Sequence, residues 1–90
     1  MKARRLFYHG HVQGVGFRYS ARQIAAGFEV NGYVRNLPDG RVELFIQGAP
    51  DELAAMERAV ADSHLNGLIK TVESFDTMVD LKLRGFSIRP

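Results

Sequence analysis

Along this chain the hydrophobic period switches repeatedly between that of a strand and that of a helix. Residues 4–11 alternate, with Leu6 and Tyr8 on one face and Phe7 and His9 on the other. Gly10, Gly14 and Gly16 break the alternation, so a loop is expected from Gly10 to Phe17. Residues 18–26 suit a helix, because Ala21, Ile24, Ala25 and Phe28 recur at i, i+3, i+4 and i+7. Gly27 stands where a left-handed cap would end it, with Phe28 folding back onto the last turn. Residues 32–36 and 41–47 read as strands, and in the second Val42, Leu44 and Ile46 alternate with Glu43 and Gln47, the mark of one core-facing side. Leu37-Pro38-Asp39-Gly40 joins them as a hairpin, since Pro presets one turn angle and Gly accepts positive φ. Pro50 opens a second helix with Asp51 and Glu52 in its first turn, where acidic groups favour the dipole. Leu53, Met56 and Val60 are its apolar stripe, residues 69–77 predict a fourth strand, and Phe86 and Ile88 fall on a short last one.

A chain of 90 residues hides only about 60–65% of its unfolded surface and supports a single core. Residues 1–90 are therefore expected to form one domain. The order β-α-β-β-α-β plus a terminal strand buries all its stripes most economically as an α+β sandwich. That predicts the ferredoxin-like arrangement, with two helices on one face of an antiparallel sheet.

There is no cysteine, which excludes disulfides, thiolate metal sites and thiol catalysis and fits a reducing compartment. The segment after the basic start Met1-Lys2-Ala3-Arg4-Arg5 is too short and polar for a signal core. No stretch approaches the roughly 20 apolar residues that span a bilayer. A soluble, cytoplasmic protein with no membrane partner is expected. The net charge is +2 with Lys and Arg dispersed, so no nucleic-acid partner is expected. His9, His11 and His64 are scattered, without the neighbours a metal site needs.

Two segments carry chemistry. Gly10-His11-Val12-Gln13-Gly14-Val15-Gly16-Phe17-Arg18 is a glycine-rich loop leading from a strand into a helix. Successive amides in such a loop can converge on an anion, helped by free N–H groups at the helix start. Glycine serves there where φ is positive or where a side chain would block a phosphate oxygen. Arg18 follows in the first helical turn, and its fork can donate two parallel bonds to phosphate. The spacing is neither a Walker A motif nor a dinucleotide fingerprint, since Tyr19 holds the third glycine position. A plain turn with a surface Arg is the alternative. The second segment is Gly32-Tyr33-Val34-Arg35-Asn36-Leu37-Pro38-Asp39-Gly40-Arg41-Val42-Glu43, where Asn36 could simply start the turn and Arg35 and Arg41 face solvent.

Together the segments resemble the acylphosphatase family, whose members carry a G-x-V-Q-G-V-G-F-R loop and a G-[YW]-V-x-N-x-x-D-G-x-V-E hairpin. Ala25-Ala26-Gly27-Phe28 and Gly85-Phe86-Ser87-Ile88 are similar to the family as well. The resemblance implies hydrolysis of the carboxyl-phosphate bond of small acyl phosphates, giving a carboxylate and inorganic phosphate. It implies that the amides of Gln13, Gly14, Val15, Gly16 and Phe17 and the Arg18 guanidinium hold the phosphoryl group, and that Asn36 positions the attacking water. No cofactor, metal or covalent intermediate is expected, phosphate is expected to inhibit as product, and the chain is expected to be a monomer. Ser63-His64-Leu65-Asn66-Gly67-Leu68 departs from the Gly-Pro-rich turn of many members, and His11 occupies a variable position and receives no catalytic role.

Three other readings fit the chain less well. A non-catalytic phosphate-binding module would be free to lose Arg18 or Asn36. An accessory domain of a carbamoyl-transfer protein would precede a cysteine-rich region. An RNA-binding sheet would pair Phe7, Tyr8 and Phe45 with a basic-Gly-Phe pattern in its third strand, which is missing.

Overall fold

The computed structural model describes residues 1–90. Strand β1 (Lys2–Gly10) leads to helix α1 (Phe17–Ala25), strands β2 (Val30–Asn36) and β3 (Val42–Gly48), and helix α2 (Pro50–Ala61). A 3₁₀ turn at His64–Leu68 precedes strands β4 (Ile69–Thr77) and β5 (Phe86–Arg89). The five strands form one sheet in the order β4-β1-β3-β2-β5. The expected βαββαβ order with its short last strand is present.

The βαββαβ part is antiparallel as expected, and the short last strand makes the five-stranded sheet mixed, because β5 runs parallel to β2. Its other neighbours are antiparallel. The reason lies in the path of the chain. It leaves the end of β4 and crosses to the opposite edge, so β5 must run against β4, which is the direction of β2.

One side of the sheet carries the main core. Leu6, Tyr8, Val34, Val42, Leu44 and Ile46 pack there against Phe17, Ala21 and Ala25 of α1 and Leu53, Met56 and Val60 of α2. The predicted apolar stripes of both helices therefore face one common core. On the other side, Ala3, Tyr33 and Phe45 are covered by Val79 and Leu83 of the segment between β4 and β5. That segment is tied to β3 by Gln47, whose Nε2 donates to the Asp80 carbonyl at 2.9 Å while its Oε1 accepts from the Asp80 amide at 2.8 Å. Every residue of β3 is buried as a result. The alternation of β3 marked the helix-facing side correctly. It did not show that Glu43 and Gln47 are also buried, Glu43 between the guanidiniums of Arg5 and Arg35.

Helix α1 does not end on a left-handed glycine. Ala26 has φ −62°, and Gly27 lies outside the positive-φ region. The last turn tightens instead, with Gly27 N donating to Ile24 O and Phe28 N to Ala25 O, both at 3.0 Å. These i→i−3 bonds satisfy end carbonyls that a glycine cap would otherwise have served. Phe28 still folds back onto the core. In the departing segment Ser63 caps the 3₁₀ turn, accepting from Leu65 N at 3.1 Å, and Leu65 is fully buried. No helix is long and apolar enough to cross a membrane.

At Gly32 the backbone of β3 leaves no room for a side chain. A Cβ there would lie 1.9 Å from the carbonyl oxygen of Phe45, on backbone that cannot step aside. Gly32→Ala is expected to lower the unfolding free energy by ~2–3 kcal/mol. The check is a urea titration, in which the midpoint falls at unchanged slope; a wild-type midpoint would contradict this packing.

Candidate active site

The loop between β1 and α1 is held by two apolar pegs. Val12 and Phe17 are both essentially buried, and the Phe17 ring packs on Tyr8 with centroids 4.9 Å apart. Between the pegs, Gly14 and Gly16 take φ 75° and 79°, a conformation that costs an L side chain roughly 1–2 kcal/mol. A Cβ at either position would meet nothing within 4 Å. These glycines are therefore required by backbone angle, and the space beside them is open.

Gly16 is also the N-cap of α1, and no side chain caps that helix. Serine or aspartate at this position would satisfy the first amides from within the chain. With glycine there, those N–H groups have no acceptor one turn back and remain available to a ligand.

Gln13 joins this loop to the β2–β3 hairpin. Its Nε2 donates to the carbonyls of Leu37 at 2.7 Å and Arg41 at 2.9 Å. The hairpin is closed by Leu37 N donating to Arg41 O at 2.8 Å. Asp39 stiffens it, accepting from the backbone amide of Arg41 at 3.1 Å and from its Nε at 2.8 Å. The amide of Arg41, more than its side chain, holds the Asp39 carboxyl below its usual range. Asn36 is the last residue of β2, so this bracing fixes where its side chain starts.

Loop, helix start and hairpin enclose a depression of about 180 Å³, lined by Val12, Gly14, Gly16, Phe17, Arg18, Tyr19, Asn36 and Ile88. Arg18 and Asn36, separated in sequence by a helix and a strand, thus share one site. Arg18 Nη1 donates to the carbonyl of Arg89 on β5 at 3.3 Å. None of the ion pairs of the protein involves Arg18. The fork carries five N–H donors, so the depression contains a cation with donor capacity to spare and no carboxylate beside it. That is the charge pattern of an anion site.

Of the residues singled out from the sequence, Gly14, Gly16, Phe17, Arg18 and Asn36 line the depression. Gln13 and Val15 do not: the Gln13 side chain is turned to the hairpin, and Val15 packs toward the core. His11 is exposed, His9 pairs with Glu73, and His64 meets Ser20 Oγ at 3.2 Å. No group of three or more His, Asp or Glu comes together that could hold a metal ion.

Val12, Tyr19 and Ile88 line the depression too, beyond the site residues expected from the sequence. Ile88 reaches the site only because β5 crosses to the edge beside β2, a pairing without a local signal. Tyr19 was detectable as a large aromatic following Arg18. A larger groove of about 690 Å³ runs between α2 and β4, but no glycine amides converge there, and the chemistry points to the smaller depression.

The acylphosphatase family model matches residues 4–88. An acylphosphatase of Pseudomonas aeruginosa is 40% identical over 80 residues, 89% of this chain and 87% of that protein. One from Methanospirillum hungatei is 43% identical over 63 residues, 70% of this chain and 69% of that protein. Among solved structures, the acylphosphatase from Bacillus subtilis superposes with a TM-score of 0.90 at 30% identity over the whole of both chains. HypF of T. kodakarensis gives a TM-score of 0.86 at 27% identity, over all of this chain but 12% of that one. The family match runs unbroken from the first strand through the glycine loop and the hairpin to β5, and the chain belongs to the acylphosphatase family.

Proposed function

We propose that this chain, like the family it belongs to, hydrolyses the carboxyl-phosphate bond of acyl phosphates, with Arg18 and the Gln13–Phe17 amides holding the phosphoryl group and Asn36 orienting the attacking water. The observation that carries the assignment of roles is the unpaired Arg18 beside an uncapped, glycine-started helix, with Asn36 on the same depression.

Phosphoryl transfer leaves little covalent work to a protein; positioning and charge stabilisation dominate. In this reading the guanidinium and the loop amides take the non-bridging phosphoryl oxygens. The Asn36 carboxamide accepts a hydrogen bond from water and aims its oxygen at phosphorus. As the new P–O bond forms, the bond to the acyl oxygen breaks and the carboxylate leaves with the electron pair. The proton of the water passes to a phosphate oxygen or to solvent. The leaving group is the conjugate base of an acid with pKa about 4, so it departs at neutral pH without a general acid. One chain supplies every group used, so the proposed mechanism needs no second copy. The lack of cysteine suits a cytoplasmic setting.

Arg18 and Asn36 carry separable roles, and their variants are expected to fail differently. Arg18→Ala should lose about 100- to 1,000-fold in turnover and weaken inhibition by phosphate, and Arg18→Lys should restore little because Lys lacks the fork. Asn36→Ala should lose turnover while the inhibition constant for phosphate stays near wild type, since its contact matters mainly in the transition state. Near-normal turnover in Asn36→Ala, or a loss of phosphate affinity matching that of Arg18→Ala, would contradict the assignment.

Phosphate resembles the transferred group and is expected to protect the fold. At 100 times its dissociation constant it should add about 2.7 kcal/mol of stability, seen as a rise in Tm in wild type that is absent in Arg18→Ala. An unchanged wild-type Tm would count against the phosphate site.

A further inference from the structure

We infer that the Gln13 side chain is a positioning residue for the reaction: by spanning from the glycine loop to the hairpin, it sets where the water held by Asn36 lies relative to the phosphoryl group. The inference deepens the proposed function and rests on its assignment of Arg18 and Asn36.

Two bodies meet at the site, and each is stiffened from within. The loop is pegged by Val12 and Phe17, both essentially buried, and Phe17 packs on Tyr8. The hairpin is closed by its own backbone bonds, Leu37 N to Arg41 O at 2.8 Å and Gly40 N to Leu37 O at 3.1 Å. Asp39 adds two more bonds on Arg41. Only two hydrogen bonds cross from loop to hairpin, and both come from Gln13 Nε2, which donates to Leu37 O at 2.7 Å and to Arg41 O at 2.9 Å.

A primary amide has two N–H groups to donate, and both are spent on this link. The carbonyls it grips belong to the residues next to the Asn36–Val42 pair. Its hold on the hairpin therefore lies one residue from the side chain that orients the water. Gln13 itself does not line the depression, so it acts through Asn36 and touches no reacting atom. The phosphate cradle lies wholly in the loop and the start of α1. Loosening the link should thus leave phosphate binding in place and spoil the aim of the water. Alignment of that kind is sensitive, since a misplacement of about 1 Å can cost about 100-fold in rate.

The test measures kcat for acetyl phosphate and the inhibition constant of inorganic phosphate in wild type, Gln13→Met, Gln13→Asn, Asn36→Ala and the double variant Gln13→Met/Asn36→Ala. Met keeps the length of the side chain and removes its donors; Asn keeps the amide and is one methylene too short to reach both carbonyls. Each is expected to lose about 10- to 100-fold in kcat, with the phosphate inhibition constant within about twofold of wild type. Because Gln13 acts through Asn36, the double variant should be no more than about twofold slower than Asn36→Ala alone. Wild-type kcat in both Gln13 variants, a loss of phosphate affinity matching the loss of kcat, or losses that multiply in the double variant each overturn the inference and leave the proposed function standing. A wild type that does not hydrolyse acetyl phosphate, or an Asn36→Ala variant with near-normal turnover, overturns the proposed roles and the inference with them.

Discussion

Strand β3 is buried at all seven of its positions, and the rest of the molecule is arranged around that burial. Its helix-facing side chains, Val42, Leu44 and Ile46, need only apolar neighbours, which both helices supply. Its other side presents Glu43, Phe45 and Gln47. A buried carboxylate or amide is costly unless its polar atoms are paired. Glu43 meets two guanidiniums, from β1 and β2, and Arg5 donates also to Tyr33 Oη at 2.9 Å. Gln47 closes a reciprocal pair with the backbone of Asp80. These polar anchors align the flanking strands and bring the crossing segment down over Tyr33 and Phe45.

The site inherits its geometry from that frame. The register of β2 on β3 places Asn36 opposite Val42, at the mouth of the hairpin. The crossing segment delivers β5 beside β2, so the Arg89 carbonyl can steady Arg18 and Ile88 can line the depression. Gln13 then couples the glycine loop to both arms of the hairpin. Each connection runs through backbone carbonyls or buried pegs, and none of them sets a carboxylate against Arg18. The charge left without a carboxylate partner, on Arg18, is where an anion would be held.

Much of this was legible because the signals were local. The helix stripes at Ala21 and Ala25 and at Leu53, Met56 and Val60, and the Pro38-Asp39-Gly40 turn, each depend on neighbours within a few residues. So did the glycine loop, where Gly14 and Gly16 were identified from their spacing and adopt the backbone angles that require them. What was not legible depends on distant parts of the chain. The parallel pairing of β5 follows from a crossing over the sheet that periodicity does not encode. Glu43 and Gln47 look like the solvent side of an amphipathic strand, and only partners far along the chain, Arg5 and Asp80, show otherwise. Gly27 signalled a left-handed cap, but the tightened last turn satisfied the same carbonyls without it. The sequence marks Gln13 for its backbone amide, whereas its side chain braces the hairpin through carbonyls 24 and 28 residues away.

In the proposed reaction the depression holds the phosphoryl group while water attacks phosphorus. Hydrolysis of an acyl phosphate in water enriched with oxygen-18 tests this directly. After complete reaction, mass spectrometry of the products should find one labelled oxygen in the inorganic phosphate and none in the carboxylate. Label in the carboxylate would mean attack at the carbonyl carbon, a reaction for which a cradle around phosphate and an Asn36-bound water would be in the wrong place.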